Sequence, residues 1–596
     1  MDRGGVLGPY VAKQKTHVCS LAEQCNRKTI MNKQSPNRLD LDHTITRRKF
    51  LGTTALGSAV LLGGGLSSLV QRSASAAGGF DFVEKSIPEL QDAMASGQLT
   101  SRQLTQGYIR RIQSLNPTLH AVIEVNPNAI SIATQLDAER RQGHLRGPLH
   151  GIPLLVKDNI ATDDQMQTTA GSLAIYGNHV PADAVIIQQL RAAGAIILGK
   201  SNLGEWANFR DDEAETFPLA VGWSARGGST INAYDLSYTS WGSSAGSANG
   251  AAANLCAAAI GTETDGSITG PSAVENIVGL KPTVGLVSQD GIIPIAHQQD
   301  TAGPMARSVT DVAILLGVLQ SPFGEVLGHQ LPSDYTQFLN PNALQGKRIG
   351  RDRLFFDRYD FFGSGIPGDE LTVAFAENAL AVMESLGATI VDTNTAGDIP
   401  GFLTIANNEF TALLFEFRAQ IADYLATLTH TDMHTLADLI AFNAAHCVQE
   451  MPFYNQDVFL AAEMFPGYPN DPAYIAARTL ARNTARSAIN DALARDNLDA
   501  IVAPHLTNST EPAVAGFPNL SLPVGIRDNG RPAGMLMYST FLHEPQLIGF
   551  GFALEQALNV RRQPQFLGSV IPIPNGGFCT GHQPQGKAHL PHGRIF

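Results

Sequence analysis

The stretch that settles the fold class is "DAVIIQQLRAAGAIILGKSNLGEWANF", Asp183–Phe209. Its first part reads as a helix and Gly194 supplies a turn. Ala195–Leu198 is then a short apolar run of the kind shown by a strand buried on both faces. A second helix is expected over the residues that follow. Helix, turn, buried strand and helix in succession argue for an α/β fold around a largely buried sheet. Gly194–Ser201 also satisfies the phosphate-loop pattern G-x-x-x-x-G-K-[ST]. Such a loop must curl so that its backbone N–H groups face a phosphate. The intervening Ala-Ile-Ile-Leu favours an extended strand instead, and that reading prevails.

Upstream, "GIPLLVKDNI" (Gly151–Ile160) suits another buried strand, bounded by Gly and Pro. Phe80–Gly143 reads as helical, with Leu and Ile at helical spacing in "SRQLTQGYIRRIQSL" and a break expected at Asn116-Pro117. Downstream, the region from about 340 to 500 is helix-rich, and "DELTVAFAENALAVMESLG" is strongly periodic. Strand-like runs return in "LDAIVAP", "FPNLSLPVGI" and "RPAGMLMYS", followed by a helix in "LIGFGFALEQAL". The chain shows no internal repeat. With 44% apolar and 16% charged residues over 596 positions, it can form a substantial core.

The front end does not belong to that core. "TITRRKFLGTTALGSAVLLGGGLSSLVQRSASAAGG" (Thr44–Gly79) carries Arg47-Arg48, then Phe50-Leu51, an uncharged Gly-rich stretch, and Ala74-Ser75-Ala76. That is the order of a charged region, an apolar region and a small-residue cleavage site. Twin arginines followed by Phe-Leu look like the signal of the export route that carries folded proteins. Leu51–Val70 is long enough to serve as an anchor, but its five glycines and its Ser/Thr content favour export with cleavage after Ala76. Met31 makes an alternative start. Accordingly, 1–43 is read as an over-extended or disordered N-terminus, 44–76 as a twin-arginine-type signal peptide, 77–566 as one large folded domain, and 567–596 as a loose tail. The expected location is periplasmic or otherwise exported, with the export machinery as a transient partner and no stable membrane insertion after cleavage.

Residues 1–76 carry a net charge of +7 and the remainder −20. An acidic body repels phosphate backbones, so nucleic acid is not an expected partner. Cys256, Cys447 and Cys579 lie beyond the signal, an odd set without CxxC spacing, and suggest neither a disulfide framework nor a zinc site. His430 and His434 stand four apart, but no H-E-x-x-H accompanies them, and a solvated helix face accounts for them. No metal or organic cofactor is implied.

The chemistry concentrates in "SWGSSAGSANGAAANLCAAAIGTETDGSI" (Ser240–Ile268), which is serine-rich and contains no histidine. A serine hydroxyl needs a positioned base to act as a nucleophile. "GSSAG" (Gly242–Gly246) fits G-x-S-x-G and nominates Ser244, but the polar, turn-rich "NAYDLSYTSW" before it is a poor lead into such an elbow. The base must come from elsewhere. Among the six lysines beyond the signal, Lys157 lies in the apolar "PLLVKDNI". Desolvation penalises an ammonium, so a buried lysine can act as a base near neutrality. The bland alternative is a structural lysine paired with Asp158 or another carboxylate.

"PLLVKDNI", "GSSAGS" and "GTETDGSI", in this order and with Ser243 and Ser267 twenty-four residues apart, resemble the amidase signature family. The resemblance continues through "GLKPTVGLVSQDGIIPIAHQQDTAGPMARSVTDVA" (Gly279–Ala313), "AGFPNLSLPVG" and "RPAGMLMYS", covering most of Gly151–Gln556. It implies a single large α/β/α sandwich around a twisted mixed β-sheet and a Ser-cisSer-Lys triad. In that triad Lys157 is the base, Ser243 the bridging serine on a cis peptide, and Ser267 the nucleophile. It also implies an oxyanion hole of backbone N–H groups at Thr264, Asp265, Gly266 and Ser267. The common pattern has Asp and then Gly-Gly ahead of the nucleophile; here Glu263 and Asp265 stand in "GTETDGS", and an inward-pointing Asp265 carboxylate would oppose an oxyanion. This segment and "RRQPQF" (Arg561–Phe566) look most similar to bacterial peptide amidases, which deamidate C-terminally amidated peptides. The expected substrate is therefore a peptide amide or a small-molecule amide. Competing readings are an amidase of small aliphatic or aryl amides, the amidase component of an amidotransferase, and an inactive binding protein of the same fold.

Overall fold

A computed structural model describes residues 79–211, 220–322, 324–357, 369–396, 399–504 and 508–572. The expected N-terminus 1–43, the signal 44–76 and all of the tail beyond 572 lie outside the described residues. Those described fall within one compact unit, Leu61–Phe596.

Eleven strands form one sheet. In chain order they are β1 (Val122–Val125), β2 (Pro153–Lys157), β3 (Ile196–Ser201), β4 (Ala258–Glu263), β5 (Val278–Lys281), β6 (Thr301–Ala306), β7 (Arg348–Asp352), β8 (Thr389–Thr393), β9 (Ala500–Pro504), β10 (Asn519–Ile526) and β11 (Pro532–Tyr538). Across the sheet the order is β1-β3-β2-β4-β6-β5-β10-β11-β9-β7-β8. β3, β2 and β4 run parallel, as do β9, β7 and β8, while the strands between these groups pair antiparallel. The sheet is thus mixed, and helices pack on it as a single large α/β/α sandwich.

Burial explains these strands better than propensity does. Every residue of β2, β3, β4, β5 and β6 is buried, so apolar or small side chains fill most positions on both faces, and the charged Lys157, Lys200, Glu263 and Lys281 stand at or next to the strand ends. In β6, "TAGPMA", Gly303 is obligatory because a Cβ there would meet the Leu280 carbonyl oxygen at 2.1 Å. The helix Ala245–Ala252 lies fully buried against β2, β3, β4 and β6. Its small residues permit this approach: a Cβ on Gly246 would sit 2.2 Å from the Ala121 carbonyl oxygen.

Several sequence expectations need correcting. The residues after β3 form no α-helix but a single 3-10 turn, Glu205–Asn208, with left-handed φ of 51° at Trp206 and 57° at Ala207. The Glu205 and Trp206 side chains are buried: Glu205 pairs with Arg210 and accepts from Ala225 N–H at 2.7 Å, and Trp206 packs on Phe459. The helical region near the front is interrupted by β1, whose four residues are too few to show alternation. Its helix Ser101–Leu119 runs through Pro117 and ends at His120, in the left-handed conformation. Leu567 is stitched to the body, its carbonyl accepting from Leu236 N–H at 2.8 Å. Cys447 is disulfide-bonded, which the count and spacing of the cysteines did not suggest, and Cys256 is a buried free thiol. Gly194–Ser201 does run straight into a buried strand, as its apolar core requires. No helix among the described residues is long and apolar enough to cross a membrane.

Candidate active site

β2 and β4 are parallel neighbours, with Leu154, Leu155 and Val156 opposite Ala258, Ala259 and Ile260. Their carboxyl ends therefore emerge side by side, where open α/β sheets place their ligands. Lys157 ends β2; Thr262 and Glu263 end β4 and lead into Thr264–Ser267. The Lys157 side chain is wholly buried. Its Nζ lies 2.8 Å from Ser243 Oγ, 2.9 Å from Thr262 Oγ1 and 3.1 Å from the Thr262 carbonyl oxygen. Burial pulls its pKa from the ordinary lysine value down to about 7, against the Asp300 and Glu263 carboxylates, which pull it up.

The alternative pairing with Asp158 does not occur. The Asp158 carboxylate accepts from Thr169 Oγ1 at 2.6 Å and Gly171 N–H at 3.0 Å, and pairs with Arg226 at 3.3 Å. Burial does not single Lys157 out: Lys200 and Lys281 are equally enclosed, each pulled by burial to about 8. What distinguishes Lys157 is its contact with a serine hydroxyl.

Each serine of the serine-rich stretch has a defined place. Ser240 Oγ donates to Glu275 at 2.6 Å, and Ser247 Oγ shares a 2.7 Å bond with Ser201. Ser244 Oγ donates to the Thr262 carbonyl at 3.0 Å and accepts from Thr262 N–H at 3.2 Å, so backbone occupies its hydroxyl. The G-x-S-x-G match is accordingly a structural tie between the helix start and β4. The Gly242–Ser243 peptide is cis. Ser243 is wholly buried, whereas Ser267 keeps 9% of its surface, so of the two only Ser267 is open to an incoming carbonyl. The segments are joined directly, Ser244 N–H donating to the Ser267 carbonyl at 3.1 Å.

The loop before Ser267 is held by side chains. Glu263 accepts from Ile268 N–H at 2.7 Å and Thr269 N–H at 2.9 Å, capping the helix Thr269–Val274 that follows. Thr264 Oγ1 donates to Asp300 at 2.6 Å. The Asp265 carboxylate accepts from Thr510 Oγ1 at 2.6 Å, and burial raises its pKa to about 6. Gly266 takes a φ of +75°, open to glycine at little cost. Among the described residues, no backbone carbonyl accepts from the amides of Asp265, Gly266 or Ser267. A small recess adjoins this end of β4, lined in part by Asn159, Thr262, Glu263, Ile293, Ile295 and Asp300.

Sequence reasoning missed Thr262, Asn159, Asp300 and the capping role of Glu263. Thr262 Oγ1 also accepts from Asn159 Nδ2 at 3.0 Å, fixing the wall around the amine. Only the β2–β4 pairing brings Thr262 to Lys157, and no local pattern signals it. His430 and His434 stand not on a helix face, as their spacing suggested, but in the loop between the helices Ile399–Leu425 and Leu436–Ala445, and belong to no metal-binding group among the described residues.

The amidase family model matches residues 103–548. The chain is 36% identical over 525 residues to a probable amidase of Arabidopsis thaliana, covering 86% of this chain and 96% of that one. It is 32% identical over 516 residues to a component of the glutamyl-tRNA(Gln) amidotransferase of Thermosynechococcus vestitus, covering 80% and 99%. Its fold matches the native peptide amidase of Stenotrophomonas maltophilia at a TM-score of 0.73 and 44% identity, over 82% of this chain and 99% of that one. The family match and these relatives together show that this protein is a member of the amidase family, hydrolases of amide C–N bonds.

Proposed function

We propose that the enzyme cleaves a carboxamide through an acyl-enzyme on Ser267, with Lys157 as base and Ser243 as relay. The observation that carries this reading is the set of contacts at the amine. A neutral lysine has two N–H donors and one lone pair. The Thr262 carbonyl and hydroxyl oxygens take the two donors, which leaves the lone pair to Ser243 O–H. Ser267 Oγ then attacks the carbonyl carbon, its proton passes to Ser243 Oγ, and the Ser243 proton passes to Lys157 Nζ. The amides of Thr264, Asp265, Gly266 and Ser267 receive the oxyanion, each such donor lowering a barrier of this kind by roughly 2.7–4 kcal/mol. The departing nitrogen takes the proton back through the same relay. Water admitted to the acyl-enzyme releases the acid, so a primary amide gives a carboxylate and ammonia.

We assign C-terminally amidated peptides as substrates, supported by the 44% identity to a peptide amidase. Peptide amides, free peptides and small aliphatic or aryl amides, scored for ammonia, test this. Turnover confined to aryl amides overturns the substrate class and spares the mechanism. Ser267→Ala and Lys157→Ala should each remove ammonia release from a folded protein; near-normal turnover in either sinks the assignment of that residue. We also propose export through the signal at 44–76. Replacing Arg47 and Arg48 by Lys should then retain the folded enzyme inside the cell, and unchanged export would refute the twin-arginine route.

A further inference from the structure

The amides proposed to receive the oxyanion lie on a loop, and something must aim them. The peptide between Thr264 and Asp265 is trans, since the cis peptides are Gly242–Ser243 and Tyr468–Pro469 among the described residues. In a trans peptide the C=O and N–H point in opposite directions, so a bond fixed to the Thr264 carbonyl fixes where the Asp265 N–H points. That carbonyl accepts from Gln299 Nε2 at 3.0 Å. Gln299 is wholly buried and is itself clamped. Its Oε1 accepts from Arg478 Nη1 at 2.8 Å, and its Nε2 also donates to Glu409. Arg478 is held in turn by Glu416, which accepts from Nη2 at 2.5 Å and Nε at 2.8 Å. The chain of bonds runs from the helices Ile399–Leu425 and Pro472–Arg495 to one peptide plane beside Ser267.

We infer that Gln299 is a positioning residue that holds the Thr264–Asp265 peptide so that the Asp265 N–H faces the developing oxyanion. It touches no reacting atom. The inference rests on the acyl-enzyme reading above and adds to it the element that orients the donor. Gln299 is the only one of this set whose nitrogen meets the Thr264 carbonyl, so removing that nitrogen releases the plane while Ser267, Ser243 and Lys157 keep their own contacts.

Two variants test it. Gln299→Glu keeps the shape and the oxygen that Arg478 needs but removes the donor; Gln299→Met removes both. Each is compared with wild type for kcat, for KM, and for inhibition by a peptide aldehyde and the matching peptide alcohol. The aldehyde can form a hemiacetal with Ser267 and place an oxyanion in the hole, whereas the alcohol cannot. The expected result is a loss of about 10–100-fold in kcat, below the ~10²–10³-fold seen when a donor is deleted outright. Aldehyde affinity should fall in proportion, with KM and alcohol affinity within about twofold of wild type. Equal weakening of both inhibitors, unchanged inhibition by both, or failure of both variants to fold would overturn the inference. Turnover by Ser267→Ala, or a wild-type enzyme that the aldehyde binds no better than the alcohol, would instead sink the acyl-enzyme reading itself.

Discussion

Burial pulls Lys157 down to about 7, while the Asp300 and Glu263 carboxylates oppose that shift. A base must be unprotonated to act, so kcat/KM should rise with pH through an acidic limb near 7 and flatten above it. Asp300→Asn removes one of the two charges that hold the proton on the amine. The limb should then move to lower pH; an upward or absent shift in the pH–rate profile would contradict the assigned base. Ser244 gives the converse prediction. Its hydroxyl serves the Thr262 backbone twice, so Ser244→Ala should cost about 1–3 kcal/mol by urea denaturation, as two lost buried hydrogen bonds do. It should keep kcat within about tenfold of wild type, unlike Ser267→Ala. A dead but stable Ser244→Ala enzyme would return that serine to the chemistry.

At the level of elements, the turn between β4 and the helix Thr269–Val274 is the decisive piece. Six residues make a weak helix by themselves, and nucleation is unfavourable. The Glu263 carboxylate meets the Ile268 and Thr269 amides from within the buried region, fixing where the helix starts and how Ser267 is presented. Glu263→Ala leaves these amides without their acceptor, at a cost of about 1–3 kcal/mol. Melting and urea midpoints should fall accordingly, with kcat reduced more than KM is raised. Full stability and activity in this variant would show that the turn holds its shape without the cap. The strand itself was hard to read in advance. "AAIGTE" is small and weakly β-forming, and it becomes a strand because pairing with β2 on one side and β6 on the other satisfies its backbone. The turn after β3 misled in the opposite sense: Glu205–Asn208 looked helical, but left-handed backbone at Trp206 and Ala207 serves side chains buried against distant parts of the chain.

Across the whole molecule, Ser243, the proposed relay, is buttressed from far away in sequence. Gly204 N–H donates to the Ser243 carbonyl at 2.9 Å, and the adjoining Glu205 pairs with Arg210. Arg210, fully buried, lies 3.7 Å from Glu450, donates from Nε to the Asn455 carbonyl at 3.1 Å, and has its guanidinium 4.3 Å from the Tyr454 ring centre. Burial raises the Glu205 pKa well above its ordinary value, and Arg210 is the group that opposes this. Arg210→Met should therefore strand two buried carboxyl groups and cost about 3–5 kcal/mol of stability. The measurement is a denaturation curve beside that of wild type, and a shift under about 1 kcal/mol would mean that the cluster contributes little.

The sequence by itself determined the fold class, because runs such as "PLLVK" and "AIILG" are short, apolar and bounded by Gly or Pro, and so read as strands with both faces covered rather than as helix. It also carried "PLLVKDNI", "GSSAGS" and "GTETDGSI" in the order that resembles the amidase signature, whereas the residues taken alone left Lys157 open between a base and a structural partner. The tertiary structure alone decided which buried lysine meets a serine. Lys157, Lys200 and Lys281 are all enclosed, and only the register of β2 on β4 and the seating of the helix Ala245–Ala252 bring one of them to Ser243. It alone decided that Ser244 is structural and that Gln299 meets the Thr264 carbonyl. These are pairings between segments far apart along the chain, fixed by strand register and close packing rather than by local pattern.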